Sequence, residues 1–235
     1  MGDSDRKEGS PDHAGHRERL RARIVEAGAD SLHDYELLEY LLSLAIPRRD
    51  TKALAKQLLA EFGGFGPLLA ADAGTLKAVP YVGDSVVAML RALDGAVRHV
   101  LLGEVQPRSV LGNWQGLVDY LRASMAQRLN EQVRILHLDS RNQLIRDEVM
   151  SEGSIDQSAI YVREVVRRAL QLGSAAIIVA HNHPSGDATP SRQDIAITRA
   201  LIDACKPLGI ALHDHVIIGR GDASRITSMR SAGLI

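Results

Sequence analysis

Residues 175–194 read AAIIVAHNHPSGDATPSRQD. The apolar run Ala175–Ala180 has the length of a buried strand, and two histidines follow it one residue apart. In extended backbone successive side chains point to opposite faces, so His181 and His183 share one face and Asn182 takes the other. Pro184 and Gly186 then turn the chain. Pro190 and Ser191 open a helix with Ser191 at its N-cap, which sets Asp194 at the third helical position, on the first turn. A carboxylate there faces back toward the loop it has just left. Two imidazoles and one carboxylate make a three-ligand set, and zinc held that way keeps its fourth position for water, the mark of a catalytic rather than a structural site. The same residues admit a plainer reading. Ser191 and Asp194 also spell S-x-x-D, a capping box that needs no metal.

The stretch sits in a chain of 235 residues, room for one large domain or two small ones. Hydrophobic content of 45% supports a real core, but aromatics are only 3%, so that core is built from Ala, Val, Leu and Ile. Lys and Arg number 28 against 29 Asp and Glu, which argues against a broad basic surface for nucleic acid. A single cysteine, Cys205, rules out an intrachain disulfide and fits a reducing compartment. The longest apolar runs fall far short of the roughly 20 residues that span a bilayer. The opening MGDSDRKEGSPDHAGH lacks an apolar h-region. It also carries Arg6 where a myristoylation signal wants Ser or Thr. A cytoplasmic protein with no membrane contact is the expectation.

Residues 1–15 read as a disordered tail. Helical spacing then runs from Arg17 to Gly28. It resumes in a helix that Asp34 caps and Pro47 interrupts, and again over Thr51–Glu61. A short helical turn is expected at Pro67–Ala71, then two helices about a tight turn at Pro80–Gly83. Residues 16–102 are thus expected to form a helical domain and 103–112 a linker. Residues 113–235 then alternate helix and strand, a mixed α/β pattern: a helix from Trp114 capped by Asn113, strands at VRILHLD and Leu144–Val149, a helix over Ser158–Leu172, the strand AAIIVA, a helix over Ser191–Lys206 and the strand ALHDHVIIG.

H-x-H, seven residues, then S-x-x-D resembles the zinc signature of the JAMM (MPN+) metalloproteases, and His181, His183, Ser191 and Asp194 fit it without a gap. The fuller string HNHPSGDATPSRQD, with LHDHVIIG downstream and RERLRARIVEAGADSLHDYELLEYLL at the start, resembles the RadC (UPF0758) family. The resemblance implies an α+β fold, with a helical, helix-hairpin-helix-like module followed by a JAMM/MPN (cytidine-deaminase-like) α-β-α domain with zinc at its sheet edge. It also implies a catalytic glutamate on an early strand, and Glu131 is the matching position. There a carboxylate can take a proton from zinc-activated water and deliver it to a leaving amine. Ser191 can donate to the oxyanion, a role that competes with capping. Glu164, in YVREVVRRAL, is a rival base, although Val162 departs from the family's Pro-Arg-Glu; as a plain helix-surface residue it would pair with Arg167 or Arg168.

His213 and His215, alternating with Asp214, are candidates to orient the ligands or simply to fill an edge strand. His137 and Cys205 read as structural. Residues 72–99 resemble a helix-hairpin-helix, but Tyr81 stands where the motif's first glycine belongs, and three basic residues balance three acidic ones. Three readings stay open. The first is a zinc hydrolase cleaving a peptide or isopeptide bond in a protein substrate. The second is a DNA-associated repair or recombination factor with an auxiliary metal domain. The third is a metal-stabilised scaffold without turnover. Oligomeric state is not readable.

Overall fold

The computed structural model describes residues 11–47, 49–105, 110–153, 160–221 and 224–235. Of the expected tail at residues 1–15, residues 1–10 lie outside these and 11–15 are helical; of the expected linker at 103–112, residues 106–109 lie outside, and helical segments ending at Val105 and starting at Val110 occupy the rest. The chain forms two compact units, Met1–Asp94 and Gly95–Ile235.

The first unit is helical: α1 (Pro11–Ala27), α2 (Asp34–Ala45), α3 (Lys52–Phe62), α4 (Phe65–Ala70), α5 (Ala73–Ala78) and the start of α6 (Asp84–Val105). Its core is mostly leucine, with Leu38, Leu42, Leu58, Leu68, Leu76 and Leu90 fully buried. Helix α2 starts one residue earlier than an Asp34 cap would set it. His33 is the N-cap, its side chain taking the Glu36 amide while Glu36 accepts from the His33 amide at 3.0 Å. Asp72 caps α5 by accepting from the amides of Gly74 and Thr75. In the turn between α5 and α6, Tyr81 adopts φ 72°, the left-handed conformation that glycine takes freely and that costs other residues about 1–2 kcal/mol. The Arg49 guanidinium stacks 3.3 Å above its ring and covers the turn.

The second unit is a five-stranded mixed sheet between helical layers. Its elements are α7 (Trp114–Met125), β1 (Glu131–Leu138), β2 (Leu144–Gly153), α8 (Val162–Leu172), β3 (Ala176–His183), α9 (Arg192–Cys205), β4 (Ala211–Gly219) and β5 (Ile226–Ser228). Strand order is β2-β1-β3-β4-β5, antiparallel except for β3 with β4, which α9 connects. This is the α-β-α domain that the sequence leads one to expect. Helix α8 begins at Val162, and Ser158, the expected start, lies outside the described residues.

The residues of β3 divide between the two faces. Ile178 and Ala180 pack with Leu117, Leu121 and Met125 of α7. Ile177 and Val179 pack with Val165 and Ala169 of α8 and Leu201 and Cys205 of α9. The period of two therefore carries His181 and His183 to the α8–α9 side, where α9 begins. Apolar burial on both faces explains the near-continuous hydrophobic run of AIIVA.

Candidate metal centre

Four elements converge at the carboxyl end of β3. His181 and His183 end that strand. Asp194 lies on the first turn of α9, Glu131 opens β1, and His215 comes from the middle of β4. Glu131, His181, His183, Ser191 and Asp194 line one cavity of about 760 Å³.

The turn after β3 is held from below. Gly186 donates its amide to the His183 carbonyl at 3.0 Å and has φ 88°. It sits on Gly219, which pairs with His183 across β4. A Cβ on Gly219 would stand 2.5 Å from the Gly186 carbonyl oxygen, so the backbone approach requires glycine there.

Each histidine ring is oriented through the nitrogen that faces away from the centre. His183 Nδ1 lies 2.6 Å from the Asp187 carbonyl. A carbonyl only accepts, so Nδ1 carries the proton and Nε2 a lone pair. For His181 a longer chain sets the tautomer. The Thr198 hydroxyl donates to the Asp194 carbonyl, one turn back on α9. Its oxygen then accepts from His215 Nδ1 at 2.6 Å, and His215 Nε2 accepts from His181 Nδ1 at 2.7 Å. His181 Nε2 is left bare. Burial disfavours the charged form of both His215 and His181. It drives the pKa of His215 well below the ordinary value, an effect that His181 and His183 reinforce. It lowers that of His181 to about 4, against the pull of Asp194.

The two bare Nε2 atoms face each other at 2.8 Å. Asp194 Oδ1 is 3.3 Å from His181 Nε2, and Oδ2 is 3.8 Å from His183 Nε2. Glu131 Oε1 is 4.0 Å from His181 Nε2. Two lone pairs and two carboxylates aimed at one point repel one another unless a positive charge sits among them. Burial disfavours a proton on His181, so a cation bound by nitrogen and oxygen is what this donor set fits.

Glu131, His181 and His183 by themselves offer ligand atoms within 4.8 Å of one another. The site thus has two carboxylates for one remaining place. Asp194 is the nearer and the more firmly fixed, because Oδ2 also accepts the Ser191 amide at 2.7 Å. Burial raises the pKa of Glu131, Asp194 adds to the rise and His183 opposes it.

The capping box is present in full: Ser191 Oγ accepts the Asp194 amide at 3.1 Å while Asp194 takes the Ser191 amide. Capping and the metal site are nonetheless compatible. A carboxylate has two oxygens, and capping by a hydroxyl uses an acceptor lone pair, leaving the O–H to donate elsewhere.

Other residues fall outside the centre. Glu164 pairs with Arg167 at 2.8 Å and lines a separate groove with Glu148 and Arg168. His213 bonds to Asn142 Oδ1 at 2.6 Å. Asp214 is buried and pins the C-terminal segment, accepting from the amides of His215 and Arg230 and from the Ser228 hydroxyl. His137 is buried with Nδ1 3.0 Å from Ser174 Oγ, and Cys205 is in the core.

Sequence reasoning does not single out two residues that the geometry does. Thr198 stands four positions after Asp194, a helical spacing that places both on one side of α9. Asn182 turns away from the histidines and grips β1. Its Oδ1 accepts the Gln132 amide at 2.8 Å, and its Nδ2 donates to the Asn130 carbonyl at 3.1 Å. Backbone pairing of β1 with β3 ends at Val133–His181, so this side chain fastens the chain on both sides of Glu131.

A sheet layered by helices, with paired histidines at a strand end and a carboxylate on the next helix, is the arrangement of a JAB (MPN) domain. Comparison with known proteins agrees. The model of the RadC-like JAB domain matches residues 111–234. A UPF0758 protein of Rhodobacter capsulatus is 47% identical over 216 residues, covering 92% of this chain and the whole of the relative. The chain belongs to the RadC (UPF0758) family.

Proposed function

We propose that the chain is a zinc-dependent hydrolase of JAMM type that cleaves an amide, in a peptide or isopeptide bond of a protein substrate. The observation that carries this reading is the pair of bare Nε2 atoms 2.8 Å apart with Asp194 3.3 Å from one of them. His181, His183 and Asp194 would hold the zinc, a two-histidine, one-carboxylate set that suits it. When bound, zinc polarises a carbonyl and makes water acidic enough to attack at neutral pH.

This chain's own residues supply the rest. Glu131, its carboxyl raised by burial, takes the proton of the attacking water and gives it to the departing amine. The Ser191 hydroxyl donates to the oxygen on which charge develops. Asn182 holds the backbone from which Glu131 projects. The single cysteine, buried and reduced, goes with a cytoplasmic setting.

The test is Glu131→Gln in zinc-reconstituted protein, assayed on quenched-fluorescent peptide pools. Retained zinc with hydrolysis reduced at least about 100-fold is expected. Unchanged turnover would remove Glu131 from the role of base. Loss of zinc would make it a ligand instead.

A further inference from the structure

The cavity that holds the candidate centre extends well beyond it. At about 760 Å³ it is many times the roughly 30 Å³ share of one water. The titratable side chains lining it among the described residues are Glu131, His181, His183 and Asp194, and the other three each have an atom within 4.0 Å of His181 Nε2. One face of α9 contributes Gln193, Ala196, Ile197 and Ala200, apolar after Gln193, with Val133 of β1, Ile160, Pro184 and Ser185 also lining the space. Asp194 to Ala200 is six residues, about 9 Å along a helix axis, enough for a large side chain. Ala196 and Ala200 are exposed and one turn apart, so the helix presents small apolar groups where a solvated face would carry polar ones. No lysine or arginine lines the space among the described residues, so an acidic group would enter without a partner.

We propose that this groove takes the substrate side chain adjoining the scissile amide, and that the substrate carries an uncharged aliphatic or aromatic residue there. The inference rests on the hydrolase reading above. Ala196, Ala200 and Ile160 are then specificity-determining residues.

Hydroxamates test both layers separately, because the hydroxamate chelates zinc while its acyl chain occupies the adjoining space. Affinities of acetohydroxamate, 4-methylpentanohydroxamate and the size-matched acidic glutaric monohydroxamate are measured calorimetrically on zinc-reconstituted protein and on its Ala200→Trp variant. The aliphatic probe is expected to bind at least fivefold more tightly than acetohydroxamate, and the acidic probe no more tightly. Ala200→Trp, at an exposed helix position, is expected to bring the aliphatic advantage below fivefold and leave acetohydroxamate unchanged. An aliphatic advantage below fivefold in the wild type, an acidic probe that matches the aliphatic one, or an advantage that survives Ala200→Trp would overturn the groove assignment alone. Failure of all three probes to bind the zinc-loaded protein would overturn the hydrolase reading, and this assignment with it.

Discussion

Thr198 has one hydroxyl proton, and its destination sets the protonation of two histidines. Given to the Asp194 carbonyl, it makes His215 a donor toward Thr198 and an acceptor toward His181, and so leaves His181 Nε2 bare. Thr198→Val removes the acceptor that His215 Nδ1 needs and frees the His181 ring to change tautomer. Zinc affinity, read by chelator competition, is expected to fall about 10- to 100-fold, with recovery in Thr198→Ser; equal affinity in Thr198→Val would contradict the relay. His137 gives a second test at this scale. Burial lowers its pKa in the folded state, with Arg168 adding to the effect and Glu148 opposing it. The unfolded chain therefore takes up a proton near the ordinary value of about 6.5 that the folded chain resists. The contribution of this group to stability is accordingly lost as pH falls below about 6.5. In His137→Asn, urea unfolding between pH 7 and pH 5 is expected to show a shallower loss of stability than in the wild type. An identical slope would show that His137 does not titrate on unfolding. Of these residues, the sequence points to the ligands themselves, because chain neighbours place them. It is silent on His215 Nε2 meeting His181 Nδ1, a contact across 34 positions that no local spacing encodes.

The strand β3 leaves β1 at His181 but stays with β4 as far as His183–Gly219. That divergence opens the space in which Glu131 meets the histidines, and Asn182 bridges it. In Asn182→Ala the start of β1 is expected to loosen. Amide exchange at Gln132 should accelerate at least tenfold while that of Ile135, inside the ladder, stays within threefold. Unchanged exchange at Gln132 would mean that the side chain does not hold the strand. At this scale the period of two in AAIIVAHNH and the capped start of SRQD are legible, because strand alternation and capping are local physics. Elements fixed by distant contacts are less so. Ile226–Ser228 forms β5 on three residues against β4, too few to carry a pattern. His33 rather than Asp34 caps α2, although both precede the same apolar spacing. The role of Asn182 follows only from the arrival of β1 beside it.

In the molecule as a whole, a leucine-cored helical unit and an α-β-α unit each have their own core. Among the described residues no helix is long and apolar enough to cross a membrane. The change from leucine-rich helical spacing to alternating strands and helices makes both architectures legible in the sequence. Family membership rests on more than the motif, since the relative from Rhodobacter capsulatus matches over 92% of the chain. The chemistry turns on whether the buried lone pairs at the end of β3 hold a cation. Metal analysis of the purified, zinc-reconstituted protein beside His181→Ala and Asp194→Ala, with circular dichroism to confirm that both variants fold, addresses this directly. The expected result is about one zinc per wild-type chain, lost in both variants. A wild-type protein that takes up no zinc, or an Asp194→Ala variant that keeps it, would contradict the proposed ligand set.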